Sequence, residues 1–182
     1  VMASEPVRTN LALVCRADND LHQALVLSGY TCRRFDRLTD AVERVPDGAA
    51  LLVLADDYPA SPTVIEPAVF DKARRKHLRL YVEYSPSLPG FEFEAPAQTE
   101  WERCVVSSDR LPEALSELRI LKSNDCYFLP LKSPLPVSAE TFLVLAKVAG
   151  YDTAVFGLPP TTHPLLFEIP DRNLLASATS LS

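Results

Sequence analysis

The sequence predicts one α/β domain of three layers, doubly wound, in which helices cover both faces of a mostly parallel sheet. Short continuous apolar runs, typical of strands buried on both faces, recur through the first half of the chain. Helix signals separate these runs, and parallel strands at that spacing require crossover connections. The 182 residues, 47% of them hydrophobic, suit a single domain with a sizeable core. We therefore expect residues 1–182 to form one domain. Its strand-like ending also suggests a fragment of a longer protein.

Strands and helices alternate clearly in the first half. The predicted strands are residues 10–15, 31–35, 49–55 and 78–84. The first helix is expected to begin after Asp18 or Asn19 as its N-cap and to run through Leu27, where Ser28–Gly29 stops it. Thr39 is the expected N-cap of a second helix over residues 40–45. A third helix over residues 67–76 tolerates the proline in its first turn. This order is that of repeated strand–helix–strand units.

The second half opens with a long segment rich in Pro and Glu, residues 85–101, which we interpret as a loop with a short edge strand at 91–94. Helices are predicted over residues 112–121 and 139–149, the latter after Ser138 and closed by Gly150. The remaining predicted strands are residues 104–106, 127–131, 153–156, 165–168 and 174–179.

Composition excludes several functions. The net charge of −6 argues against a nucleic-acid partner, because phosphate binding needs clustered Lys and Arg. The apolar runs are too short to span a bilayer, so no membrane partner is expected. None of the five glycines forms a GxGxxG or phosphate-binding loop, and the segment after the first strand is acidic. We therefore expect no nucleotide, flavin or other cofactor.

The four cysteines, Cys15, Cys32, Cys104 and Cys126, show neither CxxC spacing nor paired histidines. This pattern does not predict a metal site, and buried free thiols on strands are the expected state. Cys15 ends one predicted strand and Cys32 begins the next, so a disulfide in an oxidising compartment stays open. The localisation is therefore left undetermined.

Candidate ligand-binding residues follow from the rule that open parallel sheets hold ligands above the carboxyl ends of their strands. Asp56 and Asp57 come directly after the third predicted strand, where two carboxylates can bind a metal ion, position a substrate hydroxyl or simply cap a turn. Glu83 ends the fourth strand and is a candidate polar residue of the same rim. Ser85 follows it, but it lies between Tyr84 and Pro86 without the small neighbours that a nucleophile elbow requires. No catalytic residue is therefore assigned.

Two further candidates lie later in the chain. His163 has Glu168 five residues on, but no nucleophile accompanies it, and a structural histidine is the favoured interpretation. Trp101 ends the long loop, where its ring can stack on the apolar face of a sugar or simply anchor the loop.

The order of elements resembles the class I glutamine amidotransferase-like superfamily, whose fold is of the flavodoxin-like kind. The segments that carry the resemblance are residues 50–58 (ALLVLADDY), 78–85, 148–158, 162–167 and 174–181. The chain looks most like non-catalytic branches, of the beta-galactosidase trimerisation and trehalose-utilisation types. It also resembles N-terminal regions of large bacterial six-hairpin glycosidase-like proteins. The family's catalytic Cys elbow would fall at residues 83–87, which hold no Cys, and Leu165 stands where a Glu should follow His163–Pro164.

Three functions remain open at this point. The resemblance implies a non-catalytic accessory or interaction domain of a bacterial carbohydrate-processing protein, packed on a protein partner or a downstream catalytic domain. The second hypothesis is a small hydrolase or amidotransferase-like enzyme that uses Asp56, Asp57, Glu83 and His163 as an atypical site, which requires these side chains to converge. The third is a sugar-binding sensor that uses Trp101 or Phe91 as a platform.

Overall fold

The computed structural model describes residues 11–123 and 125–182, so Asn10, the first residue of the first predicted strand, lies outside it. The strands are β1 (Leu11–Val14), β2 (Arg33–Phe35), β3 (Ala50–Val53), β4 (Arg79–Glu83), β5 (Ala97–Gln98), β6 (Arg103–Val106), β7 (Ile120–Leu121), β8 (Tyr127–Phe128), β9 (Glu140–Ala146), β10 (His163–Ile169) and β11 (Leu174–Ser177). The α-helices are α1 (Asp20–Leu27), α2 (Leu38–Arg44) and α3 (Pro67–Arg75), and short 3-10 turns occupy Glu113–Leu115 and Pro170–Arg172. None of the described helices is long and apolar enough to cross a membrane.

Nine strands form one mixed sheet in the order β2-β1-β3-β4-β11-β10-β9-β6-β7, and β5 pairs with β8 in a separate two-stranded ribbon. The first five strands of this order run parallel to one another. From β11 onward every neighbouring pair is antiparallel. The predicted α/β class is therefore confirmed. Beyond its parallel half the sheet continues through β10 and β6, which were predicted as strands, and through β9 and β7, which lie in segments predicted as helices.

Helices cover both faces of the parallel half. On one face, Leu21 and Leu25 of α1 pack on the fully buried Leu13 of β1. On the other face, Ala41 of α2 and Ala73 of α3 join Ala12 and the neighbouring strands in the largest apolar cluster. Successive residues of a strand point to opposite faces, which is why the continuous apolar run in β1 serves both layers.

The helix predicted over residues 139–149 is wrong, because β9 (Glu140–Ala146) is a strand. Its residues 143–146 are all buried, and β9 lies inside the sheet between β10 and β6. A continuous apolar run covered on both faces has no period that separates strand from helix. The helix predicted over 112–121 is also wrong, since that segment holds only a 3-10 turn and β7.

Smaller differences concern caps and short strands. Asn19 is the N-cap of α1 as predicted, and its side chain accepts a hydrogen bond from the backbone N–H of His22. Helix α2 begins earlier than expected, at Leu38, with no side-chain cap, so Thr39 is not its N-cap. The strands predicted at 91–94 and 153–156 reduce to single bridges at Phe93 and Thr153.

Gly150, predicted to close a helix, instead allows a close backbone approach after β9. Its φ is +132°, and a Cβ there would lie 1.9 Å from the carbonyl oxygen of Thr153. Gly150→Ala is expected to lower the free energy of unfolding by about 3 kcal/mol, because backbone must move to admit the methyl group. Gly29→Ala, at φ +83° with open space around the site, is the control and should cost about 1 kcal/mol. Equal losses in urea unfolding would contradict this account.

Candidate functional site

The carboxyl ends of β1, β3, β4 and β11 lie together at one edge of the parallel half, which we call the carboxyl edge. It comprises Arg16 after β1, residues 55–58 after β3, residues 83–85 at the end of β4 and residues 178–182 after β11. Parallel pairing places these ends side by side, and such an edge is where ligands of open α/β sheets bind. Three of the predicted residues, Asp56, Asp57 and Glu83, lie here.

Glu83 is fully buried at the carboxyl edge, and four donors surround its carboxylate. Oε1 accepts hydrogen bonds from the Tyr81 hydroxyl at 2.8 Å and the Leu181 N–H at 3.0 Å. Oε2 accepts from the Ala55 N–H at 3.1 Å and the Ser182 hydroxyl at 2.7 Å. One carboxylate therefore ties together β4, the end of β3 and the segment after β11.

A buried charge is stable only when hydrogen bonds replace the water that burial removes. The arrangement of four donors around Glu83 provides these bonds. It also raises the pKa of the neighbouring Tyr81 hydroxyl, first because that group is buried and second because the charge of Glu83 lies beside it. Tyr81 therefore stays a neutral donor. All four hydrogen bonds are made inside the domain, so Glu83 holds these segments of the chain together. We call this role a structural bracket.

Asp56 and Asp57 both engage Arg16, the residue that follows β1. An oxygen of Asp56 accepts a hydrogen bond from the Arg16 backbone N–H at 2.6 Å, and its other oxygen lies 3.4 Å from the Asn19 side-chain nitrogen. Asp57 forms an ion pair with the Arg16 guanidinium, and both side chains of that pair are 60% exposed. Asp56 thus fixes the turn that leads into α1. An exposed pair such as Asp57–Arg16 adds little stability.

Tyr84 occupies the position directly after β4, where the sequence placed the elbow. Its φ is +47°, a left-handed conformation that is strained for a residue with a side chain. The side chain is fully buried, and its ring meets the Tyr58 ring edge to face at 5.0 Å between centroids. Among the described residues its hydroxyl has no hydrogen-bond partner. A bulky ring therefore fills the place where an elbow would present a nucleophile.

A second hydrogen-bonded cluster, which the sequence did not predict, closes the carboxyl edge. It consists of Tyr58, Tyr127 and Thr179. The Tyr58 hydroxyl accepts a hydrogen bond from the Tyr127 N–H at 2.6 Å, and the Thr179 hydroxyl donates to the Tyr127 carbonyl at 2.7 Å. These three residues come from after β3, from β8 and from after β11. They are 52 to 121 positions apart, so no local sequence signal connects them.

His163 and Trp101 lie in the antiparallel half. The His163 ring, at the start of β10, packs on Phe128 with 5.2 Å between centroids. Trp101 lies in the bend before β6 and is 76% exposed. Within the described ranges His163 makes no hydrogen bond to the carboxylates of Asp56, Asp57 or Glu83, so the four do not form one bonded group. The structural interpretation of His163 therefore fits its surroundings.

The described residues contain no group of three or more His, Cys, Asp or Glu side chains that could hold a metal ion. All four cysteines are free thiols, so Cys15 and Cys32 are not bridged. Burial raises the pKa of Cys104 from its ordinary 9.0 to about 12. Burial, together with nearby Asp56, raises the pKa of Cys15 to about 11. Both thiols stay protonated near neutral pH, which makes them poor nucleophiles.

The raised pKa of Cys104 predicts loss of stability in alkali. The unfolded thiol ionises near pH 9, whereas the folded one holds its proton to about pH 12, so stability falls as pH rises between these values. Between pH 8 and 10.5 the wild type should lose about 2 kcal/mol more than Cys104→Ala, measured by urea unfolding. The comparison cancels the contribution of the tyrosines. Equal losses of stability in the wild type and in Cys104→Ala would show that this thiol does not contribute to the pH dependence.

Comparisons with known proteins identify the fold. No family model matches the chain, and a search of curated proteins finds no relative. Among solved structures, the chain is similar to a ThuA-like protein from Bacteroides uniformis, with a TM-score of 0.64 and 8% identity over 99% of this chain and 85% of that one. It is also similar to part of Agd3, a carbohydrate deacetylase, with a TM-score of 0.59 and 12% identity over 94% of this chain. The matched part is 29% of the deacetylase chain. The chain therefore shares an α/β fold with these proteins.

Proposed function

We propose that the chain is a non-catalytic accessory domain of a carbohydrate-processing protein, with a fold from the non-catalytic part of the glutamine amidotransferase-like superfamily. The likeness to a ThuA-like protein supports the fold assignment at the level of architecture. The likeness to part of a carbohydrate deacetylase supports the carbohydrate setting. Both likenesses concern the fold, so the role itself rests on the chemistry of the carboxyl edge.

The observation that carries the proposal is that the buried carboxylate of Glu83 is fully hydrogen-bonded within the chain. A catalytic carboxylate must reach a substrate proton or a reacting atom. Glu83 is 0% exposed and accepts four hydrogen bonds from its own chain. Opening it to a substrate would leave buried donors without partners, at about 1–3 kcal/mol for each. The geometry thus favours a scaffold at the place where a related enzyme would hold its site.

A protein partner or an attached catalytic domain completes the proposal. The matched region of the deacetylase is less than a third of that chain, so the same fold occurs there within a larger polypeptide. This chain also exposes large apolar side chains on α1 and beside it, namely Val26, Leu27 and Tyr30. Apolar side chains gathered on one surface are typical of an interface.

Two measurements test the proposal together. The gene around this chain should encode a carbohydrate-active catalytic domain in the same polypeptide or next to it. The purified chain, given chromogenic esters, glutamine and N-acetylated oligosaccharides, should release no phenol, ammonia, acetate or reducing ends above the buffer rate. Turnover that Asp57→Ala abolishes, while Glu92→Gln on the exposed loop leaves it unchanged, would establish the enzyme hypothesis and overturn the accessory role.

A further inference from the structure

A polar groove lies at the antiparallel edge of the sheet, far along the strand order from the carboxyl-edge residues Arg16 and Asp56. It has a volume of about 380 Å³ and runs between the start of β6, the edge strand β7 and the loop after β9. Its principal side chains are Glu102, Arg103, Lys122, Ser123, Tyr151 and Asp152. We call it the edge groove. Its size falls in the range of small-ligand sites, about 300–1,000 Å³.

An exposed aromatic ring lines this groove, and a second exposed aromatic residue precedes the groove residue Glu102 in sequence. Tyr151 lines the groove and is 87% exposed. Trp101, which directly precedes the groove residue Glu102, is 76% exposed. A ligand that stacks on the Tyr151 ring would remove its apolar face from water.

The loop that carries Tyr151 is fixed in place. The Arg103 guanidinium donates hydrogen bonds to the carbonyl oxygens of Gly150 and Tyr151. The Ile120 N–H donates to the carbonyl of Asp152 at 2.9 Å, and Thr153 bridges to Arg119. A backbone that is already fixed lowers the entropy lost when a ligand orders this loop.

The charges of the edge groove balance. Arg103, Lys122, Glu102 and Asp152 line the groove, so its lining carries two positive and two negative groups. Glu102 also pairs with Lys147, which does not line the groove. Such a set does not select a polyanion. It suits a neutral ligand with many hydroxyl groups, because carboxylates accept and guanidinium or ammonium groups donate charge-assisted hydrogen bonds. The apolar C–H face of a sugar ring matches the exposed ring of Tyr151.

We propose that the edge groove binds a neutral saccharide, with Tyr151 as the stacking platform and Asp152 and Lys122 as hydroxyl-binding groups. The proposal rests on the carbohydrate setting of the proposed function and names where the carbohydrate binds. A protein partner is a weaker match, because the site is a small polar concavity and a stable protein interface buries about 1,200–2,000 Å².

The test is isothermal titration calorimetry of the chain with soluble oligomers of glucose, galactose and N-acetylhexosamines. We expect binding to at least one series, and Tyr151→Ala should weaken it by about tenfold or more through loss of the platform. Tyr151→Phe should bind nearly as the wild type does. Phe156→Ala is the matched control, because Phe156 lies on the same loop, is 89% exposed and does not line the groove.

The outcomes separate this inference from the proposed function. Binding that Tyr151→Ala and Phe156→Ala weaken equally, or leave unchanged, would overturn the edge groove as the site while keeping a carbohydrate role. Absence of binding to every oligomer would overturn the edge-groove inference, and the accessory role would then stand or fall on its gene context and turnover. Unfolding of Tyr151→Ala is checked by circular dichroism, and Asp152→Asn, whose backbone bond is kept, gives an independent variant with an expected loss of affinity.

Discussion

Glu83→Ala is expected to lower the free energy of unfolding by about 4 kcal/mol, among the largest effects of any single substitution in this domain. The change removes a buried carboxylate and leaves the Ala55 and Leu181 N–H groups, both directed at its oxygens, without their acceptor. The hydroxyl groups of Tyr81 and Ser182 lose theirs as well, although each can rotate. The measurement is the midpoint and slope of urea unfolding.

Glu83→Gln separates the shape of the side chain from its chemistry. Each carboxylate oxygen accepts one backbone N–H, from Leu181 at Oε1 and from Ala55 at Oε2. Whichever way the amide turns, its NH₂ therefore faces a backbone N–H, and a loss of about 2 kcal/mol is expected. Glu92→Gln, on a side chain 78% exposed, is the control and should change stability by less than about 0.5 kcal/mol. If Glu83→Gln and Glu92→Gln changed the free energy of unfolding equally, Glu83 would have no structural role.

Tyr84→Ala should cost about 4 kcal/mol, because a fully buried ring is lost from beneath Tyr58 while the left-handed backbone remains. Tyr84→Phe keeps the ring and removes a hydroxyl that has no partner among the described residues. It should leave stability unchanged or raise it by about 1 kcal/mol. Thermal and urea unfolding of the pair provide the measurement.

The two tyrosine variants also test whether the elbow position is purely structural. A loss of more than about 1 kcal/mol in Tyr84→Phe would show that the hydroxyl makes a bond that matters. That result would contradict the account of a ring that only fills space. The wild type and Tyr84→Phe are expected to have similar free energies of unfolding, and that of Tyr84→Ala should be much lower.

The parallel half of the fold was predictable because its signals are local. Apolar runs such as β3 alternate with capped or proline-initiated helices, as at Asn19 and Pro67. The antiparallel half was not predictable in the same way. In β9 a buried apolar run has the composition of either a strand or a helix, and only its neighbours β10 and β6 decide the outcome. Pairing over long distances in sequence thus overrides the local pattern.

The same distinction between local signals and contacts over long distances in sequence applies to the candidate site. Asp56, Asp57 and Glu83 were expected at the carboxyl edge because each follows or ends a parallel strand, and they lie there. The role of Glu83 was not visible, since two of its partners, Leu181 and Ser182, are 98 and 99 positions away. The sequence does not indicate Tyr151, because it predicts a helix closed by Gly150 in the segment directly before it, where the structure has β9 and the loop that lines the edge groove.

The most direct test of the central claim, that Glu83 is a structural bracket inside a closed carboxyl edge, is amide hydrogen exchange followed by NMR. The account predicts that the N–H groups of Ala55 and Leu181 exchange as slowly as those of the core strands β3 and β4, because both donate to a buried carboxylate. Exchange of both amides at the rate of an exposed position such as Val137 would contradict it, and would show that the edge opens to solvent.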